Sequence, residues 1–405
     1  MIKATLGGGG RGMRRCDNDE DVRREFELVT NEAKKAFGSE DIFIEKFLVH
    51  PKHIEVQILA DEHGNVVHLG ERDCSLQRRF QKVVEFGPAW SVPKETIEAL
   101  RADAVKIAKH VDYVSAGTVE FLVDTTTWKH YFIEMNPRIQ VEHTVTEQIT
   151  GVDIVRAQIL IAEGYTLAHP AIGINTQDDV HINGFAIQCR VTTEDPSNNF
   201  APDNGRITAY RTGGGFGVRL DGGNVTTGTV ISPYYDSLMV KITCQDNTFL
   251  GACHKAMRAI GEVRVRGVKT NIPFVQNILS HPTFQAGGCH TKFIDETPEL
   301  FDITDSKDRS TRVLRYIANI QVANPDAERK QYDTPRFPKG SGNPKPGLKQ
   351  MLDEKGPKAV SQWVMDQKKL LITDTTMRDA HQSLLSTRMR TRDMVKGADG
   401  TADIL

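Results

Sequence analysis

The chain has 405 residues, 39% hydrophobic and 7% aromatic, an ordinary balance for globular protein with room for two or three domains. Its formal net charge of −2 excludes a global pull towards nucleic acid or anionic membrane, so any phosphate recognition must be local. Six scattered cysteines (Cys16, Cys74, Cys189, Cys244, Cys253 and Cys289) show no C-x-x-C or zinc-like spacing, the usage of free thiols in a reducing compartment.

No apolar run reaches spanning length, and residues 1–5 read as a strand rather than a signal or transit segment. The chain is therefore expected to begin in the middle of a domain. A glycine loop follows: Gly7, Gly8, Gly9, Gly10, then Arg11 and Gly12. Without Cβ atoms, its backbone N–H groups can close on phosphate oxygens; no Lys-Ser or Lys-Thr follows, so it is not a P-loop. A flexible linker is the alternative. Lys3, just before it, could reach the same phosphates.

Residues 18–37 have helical periodicity, with Asp17 or Asn18 as cap. Residues 42–48 read as a strand whose end, Glu45, Lys46, Phe47 and Leu48, offers the acceptor, donor and apolar surface that a purine edge needs. Residues 53–58 alternate, placing His53, Glu55 and Gln57 on one face; His53 is expected to be a satisfied surface histidine. A turn at 61–65 and a strand at 66–69 follow. Residues 71–85 are densely ionic, and Arg78, Arg79 and Lys82 fit either a solvated face or an anion site. Residues 94–111 are helical in pattern.

The stretch 117–151 carries the densest chemistry. From Tyr131 to Val141 the odd positions are Tyr, Ile, Met, Pro, Ile and Val, while Glu134, Asn136, Arg138, Gln140 and Glu142 occupy the even ones. In an extended segment they line one face, with a break near Pro137. A hairpin centred near Thr127 sets Glu120 opposite Glu134. Two carboxylates at one spot repel unless a cation or proton sits between them, and the Asn136 carboxamide adds a hard oxygen. Glu120, Glu134 and Asn136 thus read as a nucleotide-metal site, with a solvated strand face as the alternative. Residues 144–147 have capping-box spacing, and residues 152–163 are helical, closed by Gly164. Short strands at 185–191, 206–210, 217–220 and 238–243, then helices at 248–260 and 271–279, make an α+β unit. A helical run at 312–322 precedes a proline- and glycine-rich linker at 334–347. A short helix is predicted at 357–368, a new strand and loop from 370, and a patternless polar tail at 395–405.

Several motifs in this order resemble the biotin carboxylase unit of biotin-dependent carboxylases, an ATP-grasp family: the glycine loop, Glu45 to Leu48, His53 to Gln57, Glu71 to Lys82, Phe132 to His143, and Ser232 to Ser237. Asp374 to Ser383 looks like the first strand and loop of a pyruvate carboxylase-type carboxyltransferase barrel. The resemblance implies an α+β fold: ATP-grasp domain (1–165), biotin carboxylase C-terminal subdomain (180–295), linker or regulatory region (296–368), and from 369–405 the first strand of an incomplete TIM barrel. It implies that Lys3, the glycine loop, Glu45, Lys46, Leu48, His53 and Gln77 hold ATP, and that Glu120, Glu134 and Asn136 hold Mg²⁺ or Mn²⁺. Lys82, Arg138, Gln140 and Val141 would position bicarbonate, Glu142 would deprotonate it, and Arg190 would steady the biotin that is carboxylated. In the barrel, Asp379 would be a divalent metal ligand, with Arg378 and Gln382 facing pyruvate. The implied partners are bicarbonate, a biotin carrier domain, pyruvate and an acetyl-CoA effector, in a homo-oligomer in the cytoplasm or the mitochondrial matrix. A barrel needs about 250 residues, so the chain is expected to be a piece of a longer enzyme. Phe80 stands where many stand-alone relatives carry His. The alternatives are an acyl-CoA carboxylase subunit and a non-catalytic nucleotide-binding piece.

Overall fold

The computed structural model describes residues 1–6, 12–223, 225–234, 236–303, 309–319, 347–369, 371, 377–378 and 391–404. They fall into two units, Met1–Ser306 and Lys307–Leu405.

In the larger unit a three-stranded antiparallel sheet joins β1 (Ile2–Ala4), β2 (Met13–Arg14) and β3 (Ile42–Ile44) in the order β2-β1-β3. Helix α1 (Asp19–Phe37) buries Val29 and Ala33. Asn18 caps it, accepting from Asp21 N at 2.8 Å, and an acidic first turn with Lys34 and Lys35 in the last suits the helix dipole.

The main sheet has eight antiparallel strands. Its elements are β4 (Pro51–Ala60), β5 (Val66–Arg78), β6 (Gln81–Gly87), β7 (Ser115–Asp124), β8 (His130–Asn136), β9 (Phe185–Thr192), and strands Val218–Gly222 and Leu238–Asp246. The spatial order is Val218–Gly222, Leu238–Asp246, β9, β6, β5, β4, β7, β8. Every residue of β4 is buried, so both its faces are covered. Ile54, Val56 and Ile58 pack with Ile97, Leu100 and Ala104 of helix α2 (Lys94–His110), each isoleucine, valine and leucine side chain contributing about 1.5–3 kcal/mol by burial. Alternation then sends His53, Glu55 and Gln57 to the other face, where they too are buried. His53 is therefore not the expected surface histidine.

Helix α3 (His143–Thr150) follows β8 after the break at Pro137, and α4 (Ile154–Ala162) packs on Leu59 and Leu69. The expected capping box at 144–147 is absent: Glu142 is the N-cap without a side-chain cap bond, and Thr144 Oγ1 donates instead to Gln188 Oε1 at 2.5 Å. Helices α5 (Phe249–Glu262) and α6 (Ile272–Ser280) share a core with β9 and Leu238–Asp246, including Phe86, Phe249, Phe274 and Phe284.

In the second unit, helices span Arg309–Ala318, Leu348–Asp366 (kinked at Gly356, φ 78°) and Thr391–Ile404. The second starts nine residues before the predicted helix at 357–368, and the third overturns the reading of a patternless tail: Met394, Val395 and Ala398 recur at helical spacing among polar residues. Most of the linker and the expected barrel strand lie outside the described residues, so the α+β reading holds for the larger unit alone.

Candidate functional site

A row of charge crosses the polar face of the main sheet. Arg72 on β5 pairs with Glu55 on β4, Glu55 with Glu120 on β7, and Glu120 with Glu134 on β8. The Glu120 to Glu134 register is the one expected from the hairpin. A bulge follows at once, since Phe121 pairs with Phe132, and the turn is held by Asp124 Oδ1, which accepts from Thr126 N at 2.8 Å. Like charges directly across strands destabilise a sheet, so three carboxylates in one row require compensation.

The compensation comes from several strands. Arg72, fully buried, donates to Glu55 Oε2 at 3.1 Å, Gln57 Oε1 at 2.8 Å and Gln140 Oε1 at 2.9 Å. Having its oxygen turned to Arg72, Gln140 points Nε2 at Glu120 Oε1, 2.7 Å away. Lys82 on β6 ion-pairs with Glu55, reaches Glu142 Oε1 at 2.6 Å and lies 3.5 Å from Glu120. Arg190 on β9 holds the other oxygen of Glu142 at 2.9 Å and bonds Glu85 Oε1 through Nε at 2.6 Å. Glu142, 2% exposed, is thus clamped by one cation on each oxygen, at the favourable N-terminal end of α3. His53 Nδ1 accepts from Gln77 Nε2 at 2.5 Å, which leaves Nε2–H to donate to Glu120 Oε2 at 2.8 Å.

The ionisations follow from these contacts. Burial opposes charge on Glu120, but the hydrogen bond from His53, aided by Lys82 and Gln140, brings it down to about 2. Burial also opposes charge on Glu55, and Lys82 and Arg72 outweigh it, leaving Glu55 below the ordinary carboxylate range. Burial would lower Lys82, yet Glu55, Glu142 and Glu120 hold its ammonium above the ordinary value. Glu85 goes the other way: burial raises it despite Arg190.

The donor set of Glu120, Glu134 and Asn136 fits a divalent cation. Asn136 Nδ2 bridges the two carboxylates, 2.9 Å from Glu120 Oε1 and 3.2 Å from Glu134 Oε1. Its amide hydrogens occupy the place between negative oxygens that a cation would take, and turning the amide presents oxygen instead.

The remaining expected residues are placed as follows. Lys3 Nζ lies 2.5 Å from Glu45 Oε1 on the small sheet, Lys46 Nζ is 3.4 Å from the Tyr131 hydroxyl on β8, and Leu48 is buried. The Val141 carbonyl accepts from Lys241 Nζ at 3.0 Å. Arg138 is exposed and donates to the Ile139 carbonyl at 3.1 Å and Asn136 Oδ1 at 3.4 Å; the cations on Glu142 are Lys82 and Arg190. Arg78 and Arg79 both turn to Asn199. Gly7, Gly8, Gly9, Gly10, Asp379 and Gln382 lie outside the described residues; Arg378 is exposed in the second unit. Sequence reasoning did not select Glu55, Arg72 or Glu85 as site residues. For Glu55 the available signal was its place between Ile54 and Val56 on an alternating strand, which marks a polar face without saying that the face is covered; Arg72 and Glu85 sit in densely ionic sequence with no such pattern.

Known proteins resemble this chain closely. The family description "Carbamoyl-phosphate synthase L chain, ATP binding domain" matches residues 1–170, and "Biotin carboxylase C-terminal domain" matches residues 188–296. A pyruvate carboxylase of Bacillus subtilis is 52% identical over 410 residues, 99% of this chain and 35% of that one; one of Aspergillus terreus is 53% identical over 421 residues, 100% of this chain and 35% of its own length. Among solved structures, Rhizobium etli pyruvate carboxylase with the allosteric activator acetyl coenzyme-A is 49% identical, covering 99% of this chain and 36% of that chain, with a TM-score of 0.73. The biotin carboxylase domain dimer of Hydrogenobacter thermophilus 2-oxoglutarate carboxylase, in complex with MgADP, ADP and bicarbonate, is 46% identical, covering 75% of this chain and 65% of that chain, with a TM-score of 0.70. The present chain spans about a third of the length of the pyruvate carboxylases it matches, 35% in both cases. It belongs to the pyruvate carboxylase family, and within those longer enzymes it corresponds to the biotin carboxylase region.

Proposed function

We propose that this chain carries out the first half-reaction of a pyruvate carboxylase, the ATP- and bicarbonate-dependent carboxylation of biotin presented by a carrier domain. The observation that carries the reading is Glu142, a buried carboxylate with a cation on each oxygen, beside the oxygen donors of Glu120, Glu134 and Asn136. Lys82 and Arg190 would draw bicarbonate in and fix Glu142 as the base that takes its proton. The freed oxygen then attacks the γ-phosphorus of ATP, and the bond to the ADP oxygen breaks. Glu120, Glu134 and Asn136 would hold Mg²⁺, which supplies charge neutralisation to the nucleotide phosphates. Lys3, Glu45, Lys46 and Leu48 would take the nucleotide, with Lys46 tied to β8 through Tyr131. Gln140 is oriented by Arg72 so that its amide steadies Glu120. In the whole protein pyruvate would be the final carboxyl acceptor and acetyl-CoA an effector, within a homo-oligomer.

The test is ADP release from Mg·ATP by the purified chain, with and without bicarbonate and free biotin, beside Glu142→Gln. Bicarbonate-dependent release that the substitution abolishes, with Mg·ATP binding retained, is the expected result. Equal release by both proteins would remove Glu142 from the reaction.

A further inference from the structure

The larger unit holds a second cluster of coordinating side chains that shares no residue with the carboxylate row. His50, in the loop entering β4, meets His290 and Glu296. His50 Nε2 is 3.1 Å from Glu296 Oε1, His290 Nε2 is 3.7 Å from Glu296 Oε2, and the two imidazole centroids stand 4.5 Å apart at 48°. One ligand atom from each residue lies within 4.8 Å of the others.

The framework beneath them is fixed by buried bonds. Thr291 N donates to the Pro51 carbonyl at 2.9 Å. Lys52 Nζ, 2% exposed, binds Asp73 Oδ2 at 3.0 Å and the carbonyls of Gly287 and Cys289 at 2.9 and 2.8 Å. Thr125 Oγ1 holds the His50 carbonyl at 3.0 Å. The two histidines are thus brought together by backbone anchors rather than by each other. The neighbouring cations are engaged elsewhere: Lys52 in that lock, and Lys292 over the Phe47 ring at 5.5 Å. The ligating groups themselves are open to solvent, with side-chain exposures of 45% for His50 and Glu296 and 23% for His290.

We propose that His50, His290 and Glu296 form a binding site for a borderline divalent transition-metal ion, zinc above all, completed by water. A proton shared by His50 and Glu296 explains their 3.1 Å contact but leaves His290 at 3.7 Å, beyond hydrogen-bond range. An ion with bonds of about 2.0–2.2 Å uses all three after small side-chain shifts. Two imidazoles with one carboxylate favour zinc, cobalt or nickel over magnesium, which takes oxygen ligands. Coordination through His290 Nε2 puts the ring proton on Nδ1 and gives up only the long 3.3 Å contact from Lys292 N. The ion ties the entrance of β4 to the segment 290–296, and the site does not depend on the reaction proposed above.

The test uses the full chain stripped with EDTA and titrated with Co²⁺ under visible spectroscopy, then with Zn²⁺ in competition. One equivalent of Co²⁺ with ligand-field bands, displaced by Zn²⁺, is expected. His50→Ala and His290→Ala should each weaken it at least about tenfold, with melting temperatures in EDTA equal to wild type, whereas Glu134→Gln should titrate as wild type does. Should His290→Ala prove unstable, exposed His50 and Glu296→Gln supply the same reading. Absence of bound cobalt, or equal affinity in wild type and in the His50 and Glu296 variants, overturns the proposal.

Discussion

Replacing Lys82 with methionine tests whether the site is held together as an electrostatic unit. Among the described residues, the Lys82 ammonium is the one group that touches Glu55, Glu142 and Glu120 together. Breaking a buried pair by removing one partner costs about 3–5 kcal/mol. Glu55 keeps Arg72, and Glu142 keeps Arg190, so the loss should fall at the lower end, about 3 kcal/mol at neutral pH. The sign of its pH dependence follows. In the wild type, Glu120 is lowered from 4.5 to about 2, so its contribution is present above its ordinary pKa and fades as pH falls from 4.5 towards 2. In Lys82→Met the crowded carboxylates are pushed upward, so the folded variant takes up a proton and its deficit shrinks as pH is lowered towards about 5. Urea unfolding of both proteins at about pH 7 and about pH 5 reads this directly. A deficit under about 1 kcal/mol, or one independent of pH, would show that the Lys82 ammonium does not hold these carboxylates together.

Other consequences are sharp enough to measure. Glu120→Gln with Glu134→Gln should weaken Mg·ATP binding at least about tenfold, each tenfold being about 1.4 kcal/mol; isothermal titration showing unchanged affinity would separate these carboxylates from the nucleotide metal. Gly184 sits at φ +64°, where an added Cβ would lie 2.4 Å from the Asp246 carbonyl oxygen, so Gly184→Ala should lower stability by about 1–3 kcal/mol in urea unfolding; an unchanged midpoint would contradict the backbone placement. Of the six free cysteines Cys16 alone is not buried, and burial raises the thiols of Cys244, Cys253 and Cys289 to about 12. Native protein should therefore react rapidly with a disulfide reagent at one thiol, and Cys16→Ser should abolish the fast phase.

What the sequence made legible was whatever alternation and local turns control. The facing of Glu120 and Glu134 follows from a period of two and a short turn, and Asn18 at the head of a periodic run is a local capping signal. Alternation also put His53, Glu55 and Gln57 on one face, but it carries no information on which face meets solvent. That is settled by helices and strands arriving from elsewhere in the chain, and here they bury all three. Thr144 shows the same limit. Its spacing to Glu147 fits a capping box, yet its hydroxyl meets Gln188, 44 residues on, because a buried acceptor outweighs a local bond that solvent can replace.

The clamp on Glu142 carries this furthest. Lys82 reaches it from β6 and Arg190 from β9, strands that pair through Val84 with Cys189 and Glu85 with Gln188. That pairing spans about a hundred residues of chain and is what puts the second cation in place. Arg138, four residues from Glu142 in sequence, is turned instead towards Ile139 and Asn136. The seam between β6 and β9 is therefore part of the site as much as of the core. Glu85 lies in that seam, bound to both Gln188 and Arg190. It sets the Arg190 guanidinium against Glu142 without touching Glu142 itself, and it stays buried at the cost of a raised pKa. A carboxylate that is unfavourable for the core thus sits where it aims a cation at Glu142.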